Sequence, residues 1–154
     1  MNFLRKFFHT DDSTTHLIIR VTLGLVILYH GAQKLLGMFG GNGFDATMGY
    51  FTQHLGIPAL FAFLVIIGES FGALGLITGF LTRLSAAGVA MIMLGAIAMI
   101  HWNIGFPMNW AGKQAGEGYE YHLLALGLAI PLILYGGSKF SVDQIVEKKF
   151  LNTA

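Results

Sequence analysis

The chain has 154 residues, 55% of them hydrophobic and only 11% charged, with a mean hydropathy of +0.66 and a formal net charge of +1. A soluble domain carries roughly twice that charged fraction, so the composition excludes an ordinary water-soluble fold and points to lipid as the solvent. The near-neutral balance, without a basic cluster interleaved with aromatics, excludes a nucleic-acid footprint, and zero cysteines exclude disulfides, thiolate metal ligands and an internal dithiol relay.

Residues 1–15 are amphiphilic, with Arg5 and Lys6 followed by Asp11 and Asp12. The apolar run that follows is too long for the core of a signal peptide and lacks a small-residue cleavage pattern, so a retained, interfacial N-terminus is expected. Ser13, Thr14 or Thr15 can cap the first helix, predicted over residues 16–38. On a helical wheel His30, Gln33, Lys34 and Gly37 share one narrow arc, with Arg20 about 80° away and roughly 15 Å nearer the opposite face. Such an arc has to be buried in a bundle. In residues 40–58 the chain opens with GGNG, and Phe44, Met48, Phe51 and Leu55 then recur at spacings of four, three and four, which suits a short helix lying in the membrane interface.

The run over residues 59–79 is about as long as a helix needs to cross a bilayer, and Glu69 is its one ionisable group. An acid at that depth costs roughly 2 to 4 kcal/mol unless it faces protein or water and finds a partner, and Lys34 on the first helix is the natural one. Gly68, Gly72, Gly75 and Gly79 let neighbouring backbones approach. A tight hairpin leads to a third helix over residues 84–101, which ends in His101 beside Trp102. The loop 103–118 carries Phe106, Pro107 and Trp110, a predicted aromatic belt. A fourth helix over residues 119–136 begins with Glu120 and His122 and contains Pro131, where a kink is expected. Glu120 and His122 lie about 200° apart, so only one can face the interior. Residues 137–154 form a polar tail.

The predicted fold is therefore an all-α membrane protein, a four-transmembrane-helix bundle with a short interfacial helix between helices one and two, in a single transmembrane domain over residues 1–154. Arg5, Lys6, Arg83, Lys139, Lys148 and Lys149 fall on the side of the termini and Lys113 alone on the other, which predicts cytoplasmic termini. All four helices then send a polar group towards the outer half. Arg20 and Arg83 are left near the cytoplasmic interface as topology and packing anchors, where they can reach lipid phosphates.

Several short motifs have a combined pattern: R-x-x-L-G from Arg20, H-G-x-x-K from His30 to Lys34, the run E-x-x-G-x-x-G-L-x-T-G-x-x-T-R from Glu69 to Arg83, the late Glu120, and GGSKFSVD ending at Asp143. Over residues 20–143 the chain resembles the DoxX family. The resemblance implies a four-helix protein of the bacterial inner (cytoplasmic) membrane and an oxidoreductase component, and, since Glu120 matches the family pattern, that Glu120 faces the interior and His122 the interface. Some family members are named for a thiosulfate:quinone oxidoreductase subunit and others associate with redox or metal-stress proteins.

Two carboxylates, two histidines and a lysine converging from four helices suit a quinone or similar small apolar redox molecule. Glu69, His30 and Lys34 would polarise its carbonyls and relay protons, with Gln33, His101 and Glu120 completing the pocket. The same side chains could instead ligate a divalent metal, although no compact metal motif such as H-E-x-x-H is present. Alternatively, they could simply hold a non-catalytic scaffold whose outer loops dock a partner. Met91, Met93 and Met99 make no copper motif. Lipid can cover a monomer, and a dimer through the glycine-lined second helix is equally admissible.

Overall fold

Ser13 stops the polar N-terminal segment and starts the first long helix: its Oγ accepts from the His16 amide at 3.3 Å. In the computed structural model, which describes residues 3–151, the helices are α1 (Phe3–Phe8), α2 (Thr14–Leu36), α3 (Gly43–Gly49), α4 (Ala59–Thr78), α5 (Thr82–His101), α6 (Glu120–Tyr135) and α7 (Val142–Val146). There is no strand among the described residues. Met1, Asn2 and Asn152–Ala154, the outermost parts of the expected interfacial N-terminus and polar tail, lie outside them. Helices α2, α4 and α5 are long and apolar enough to cross a membrane, while α6 is a shorter apolar helix that runs on through Pro131.

The four larger helices alternate in direction. Arg20 near the start of α2 meets Leu76 near the end of α4, and Gly31 further along α2 meets Glu69 near the middle of α4. Likewise Arg83 at the start of α5 meets the end of α6, and His101 at the end of α5 meets His122 at the start of α6. The core joins Leu23, Ile27, Leu76, Val89 and Leu132 with Ala73, Ala86, Ala125 and Ala129, and the alanines keep the axes close. A second cluster seats Phe51 on Ala62 and Ile66, with Phe44, Met48 and Leu55 packed around it. The four-three-four spacing thus marks the face that this segment turns towards α4. Outward-facing Leu60, Phe61, Leu64, Met91 and Leu124 are exposed, as a surface solvated by lipid requires.

The two arginines are packing anchors as expected, but they turn inward rather than towards lipid. Arg20 is 1% exposed, and its guanidinium donates to the carbonyls of Leu76 at 2.7 Å and Ile77 at 2.6 Å, and to Lys139 and Phe140. Arg83 donates to Ile133 and Leu134 at the end of α6, and to Phe7 and His9. Neither reaches outward to lipid phosphates. The last carbonyls of a helix have no partner of their own and carry its negative dipole end, so a guanidinium turned inward satisfies several at once. Gly79 makes this node fit: its φ of +69° is left-handed, and a Cβ there would overlap Ser141.

Asp143 works at the opposite polarity. Its buried carboxylate accepts from the amides of Leu81 and Thr82, both at 2.8 Å, and so caps the start of α5. Asp143→Ala should cost about 1–2 kcal/mol, read as a lower midpoint of thermal unfolding in detergent.

Candidate functional site

Gly31 has no side chain, and the backbone of α4 at Glu69 and Ser70 occupies the space where a Cβ would stand. This close approach brings Lys34, one turn further along α2, onto Glu69: Nζ to Oε2 is 2.5 Å, with 7% of the Glu69 side chain and 25% of the Lys34 side chain exposed. Around Glu69, α4 widens into a π-helical turn over Gly68–Gly72, a local irregularity often found at functional positions. The acid expected to be most expensive in the chain has therefore met the partner expected for it.

His30 lies one turn before Lys34 and within Coulomb range of both members of the pair. Its ring stands 5.8 Å from that of Tyr121 on α6. Tyr121 is in turn 5.3 Å from His122, and His122 is 4.2 Å from His101. The Nδ1 of His101 lies 2.7 Å from the Glu117 carbonyl in the loop before α6. A continuous row of polar rings thus leads from the ion pair to that loop. The hydroxyls of Tyr121 and Ser70 and the Nδ1 of His122 are buried and have no hydrogen-bond partner among the described residues.

Gln33 shares a side-chain hydrogen bond with His30, whereas Glu120 is turned elsewhere. The Gln33 amide donates to Phe39 at 3.3 Å, and Glu120 Oε2 accepts from the Met108 amide at 3.1 Å. His122, not Glu120, faces the interior, with 7% exposure, which reverses the assignment made from the family resemblance. The 200° separation holds, but Glu120 is the first residue of α6 and bends back over the loop, so the inward phase passes to its neighbour. Tyr121, Ser70 and His122 were all missed as site residues. The available signal was a tyrosine and a histidine together at the start of an apolar helix.

Gln33 and Lys34 do line an open cavity of about 290 Å³, closed by Gly40, Gly41, Asn42, Thr47, Tyr50 and Phe51. The glycine-rich turn after α2 builds its wall. Gly37 ends the helix with φ +69°, and the chain doubles back until Gly41 lies on the backbone of Gln33, where no Cβ would fit. Lys34 therefore stands between two compartments, with the cavity in front and Glu69 behind. Among the described residues no group of three or more His, Cys, Asp or Glu side chains is arranged to hold a metal ion.

The DoxX family model matches residues 15–102. The chain belongs to the DoxX family. This DoxX protein is 27% identical over 132 residues to a Bacillus subtilis (strain 168) protein named "Putative oxidoreductase CatD", covering 86% of this chain and 87% of that one. It is 26% identical over 134 residues to "Inner membrane protein YqjF" of Escherichia coli (strain K12), covering 87% and 93%. No solved structure matches it. Family membership makes this a membrane protein. The matched region contains Lys34, Glu69 and the cavity, while the Tyr121–His122 edge of the polar row lies beyond it.

Proposed function

We propose that this DoxX protein is a four-span inner-membrane component of a redox system, and that it binds the headgroup of a quinone or a similar small apolar redox molecule in the cavity beside Lys34. In this reading α2, α4, α5 and α6 cross the bilayer, both termini face the cytoplasm by the bias of Lys and Arg, and the segment of residues 43–54 lies at the outer interface. The observation that carries the reading is Lys34, poised between a cavity and a buried acid.

The lining suits a flat ring with carbonyl oxygens. Tyr50 and Phe51 give aromatic walls, Thr47 and Asn42 give polar edges, and the volume is near the lower end of the roughly 300–1,000 Å³ usual for ligand pockets. A bound quinone would supply the carbonyl oxygens that take up electrons and protons. Lys34 Nζ would donate to one of these oxygens, Glu69 would hold the ammonium at the cavity wall, and the Gln33 amide could turn from Phe39 to a second polar atom. His30 and the buried hydroxyl of Tyr121 stand behind the pair as further groups able to hold or pass a proton. The relative named as an oxidoreductase supports the same class of chemistry.

The test is equilibrium binding of a short-chain quinone to the purified protein in nanodiscs. Saturable binding is expected. Lys34→Met should weaken it about 10- to 100-fold, the loss of one charge-assisted hydrogen bond of about 1.5–3 kcal/mol. Absence of saturable binding, or equal affinity in the variant, would overturn the reading. Stoichiometric metal lost on Glu69→Gln would replace it with a metal centre.

A further inference from the structure

The polar row behind the ion pair has a direction and an end, and the quinone reading uses neither. From Lys34 and Glu69 the row passes His30 on α2, then Tyr121, then His122, then His101, and stops at the backbone carbonyl of the exposed Glu117 in the loop 103–118. On the other side of Glu69 the bundle core is apolar, with Leu23, Ile27, Leu76, Val89 and Leu132 closing the way to the end that holds Arg20 and Arg83.

We propose that His30, Tyr121, His122 and His101 form a one-sided proton path between the buried Lys34–Glu69 pair and the aqueous phase at the loop 103–118. The titratable groups facing this path are Lys34 and His30 from α2, Glu69 from α4, His101 from α5, and Tyr121 and His122 from α6. Each relay group can accept a proton at one lone pair and release another: imidazole has two ring nitrogens, and a phenol hydroxyl both donates and accepts. A proton arriving at His101 passes to His122 and returns His101 to neutrality. Transfer through the Tyr121 hydroxyl and the His30 ring then delivers it to the Glu69 carboxylate. One proton moves, every relay group keeps its charge, and the imidazoles and the phenol hydroxyl turn back before the next passage.

The unpartnered atoms favour this reading over simple packing. A buried hydroxyl or ring nitrogen left without a partner costs about 1–3 kcal/mol, and phenylalanine would fill the same space at positions 121 and 122 without that cost. The unpartnered atoms of Tyr121, His122 and Ser70 are instead sites that ordered water would satisfy. Water there would also close the gaps between rings whose centres lie 4.2 to 5.8 Å apart. His101 and His122 touch, yet belong to different helices. The path is therefore assembled by the fold and cannot be recognised as a local sequence motif.

The experiment needs no quinone, so its failure and that of the binding proposal are separable. Wild-type protein in lipid bilayers is acidified rapidly, and the carboxyl band of Glu69, identified as the infrared signal absent from Glu69→Gln, is followed in time. His122→Phe and Tyr121→Phe should each slow the appearance of that band about tenfold or more, at unchanged final amplitude. His101→Ala should be slow as well, and free imidazole in the buffer should restore it. If His122→Phe does not fold, as judged by its helical circular dichroism, His122→Gln keeps a polar contact but cannot exchange protons between two ring nitrogens, and the same slowing is expected. Unchanged rates in the His122 and Tyr121 variants, or no band that Glu69→Gln removes, would overturn the path.

Discussion

Arg20→Leu is expected to destabilise the protein by about 4 kcal/mol or more. The side chain is 1% exposed and donates to four carbonyls, those of Leu76, Ile77, Lys139 and Phe140. Hydrogen bonds to a charged group contribute about 1.5–3 kcal/mol each, and relief of the buried guanidinium's desolvation offsets part of their loss. What remains is large because the orphaned carbonyls lie where helix ends are packed against protein. Leucine also leaves Asp143, which lies within Coulomb range of both Arg20 and Arg83, with Arg83 as its one remaining cation of the two. Arg20→Lys keeps the charge but not the planar fork, and should fall between wild type and leucine. Unfolding in mixed detergent measures the order. A loss below about 0.5 kcal/mol for leucine, the size of an ordinary surface change, would contradict the buried node.

Gly31→Ala should be almost as damaging, and it should act on the site as well. The new methyl would overlap the Glu69 carbonyl and approach the Ser70 Cα to 2.8 Å. All of these atoms are backbone, so no side chain can swing away and the helices must separate. Overpacking of this kind costs about 3 kcal/mol. Separation also pulls Lys34 from Glu69, so quinone affinity should fall as far as in Lys34→Met. Gly72→Ala is the control, since a Cβ there meets nothing within 4 Å. It should leave binding unchanged and stability equal or slightly higher, because alanine favours the helix over glycine by up to about 1 kcal/mol. Equal behaviour of the two alanine variants would show that α2 and α4 do not meet as described.

The helices were legible because hydropathy and glycine punctuation act locally. Residues 16–38 became Thr14–Leu36, 59–79 became Ala59–Thr78, 84–101 became Thr82–His101, and 119–136 became Glu120–Tyr135. The Lys34–Glu69 contact was legible for a related reason: a single acid in a long apolar run leaves few ways to satisfy it. Rotational phase was not legible. Whether Glu120 or His122 faces inward depends on where α6 begins and how the preceding loop folds over it, both set by tertiary contacts. The cavity wall was hidden too, because GGNG gives no sign from sequence alone that the turn folds back onto Gln33. Arg20 and Arg83 looked like interface anchors because a wheel shows direction but not the carbonyls that wait at the end of a neighbouring helix.

Lys34 and Glu69 meet beside a cavity, and in the proposed reading they do so inside the bilayer where a quinone headgroup binds. Solid-state NMR of the protein in lipid, with the Lys34 side-chain nitrogen and the Glu69 carboxyl carbon isotopically labelled, measures that contact through their dipolar coupling. A coupling of direct contact is expected, with the Lys34 nitrogen signal shifting when a short-chain quinone is added. No coupling between the two nuclei, or a lysine signal indifferent to quinone, would contradict the account.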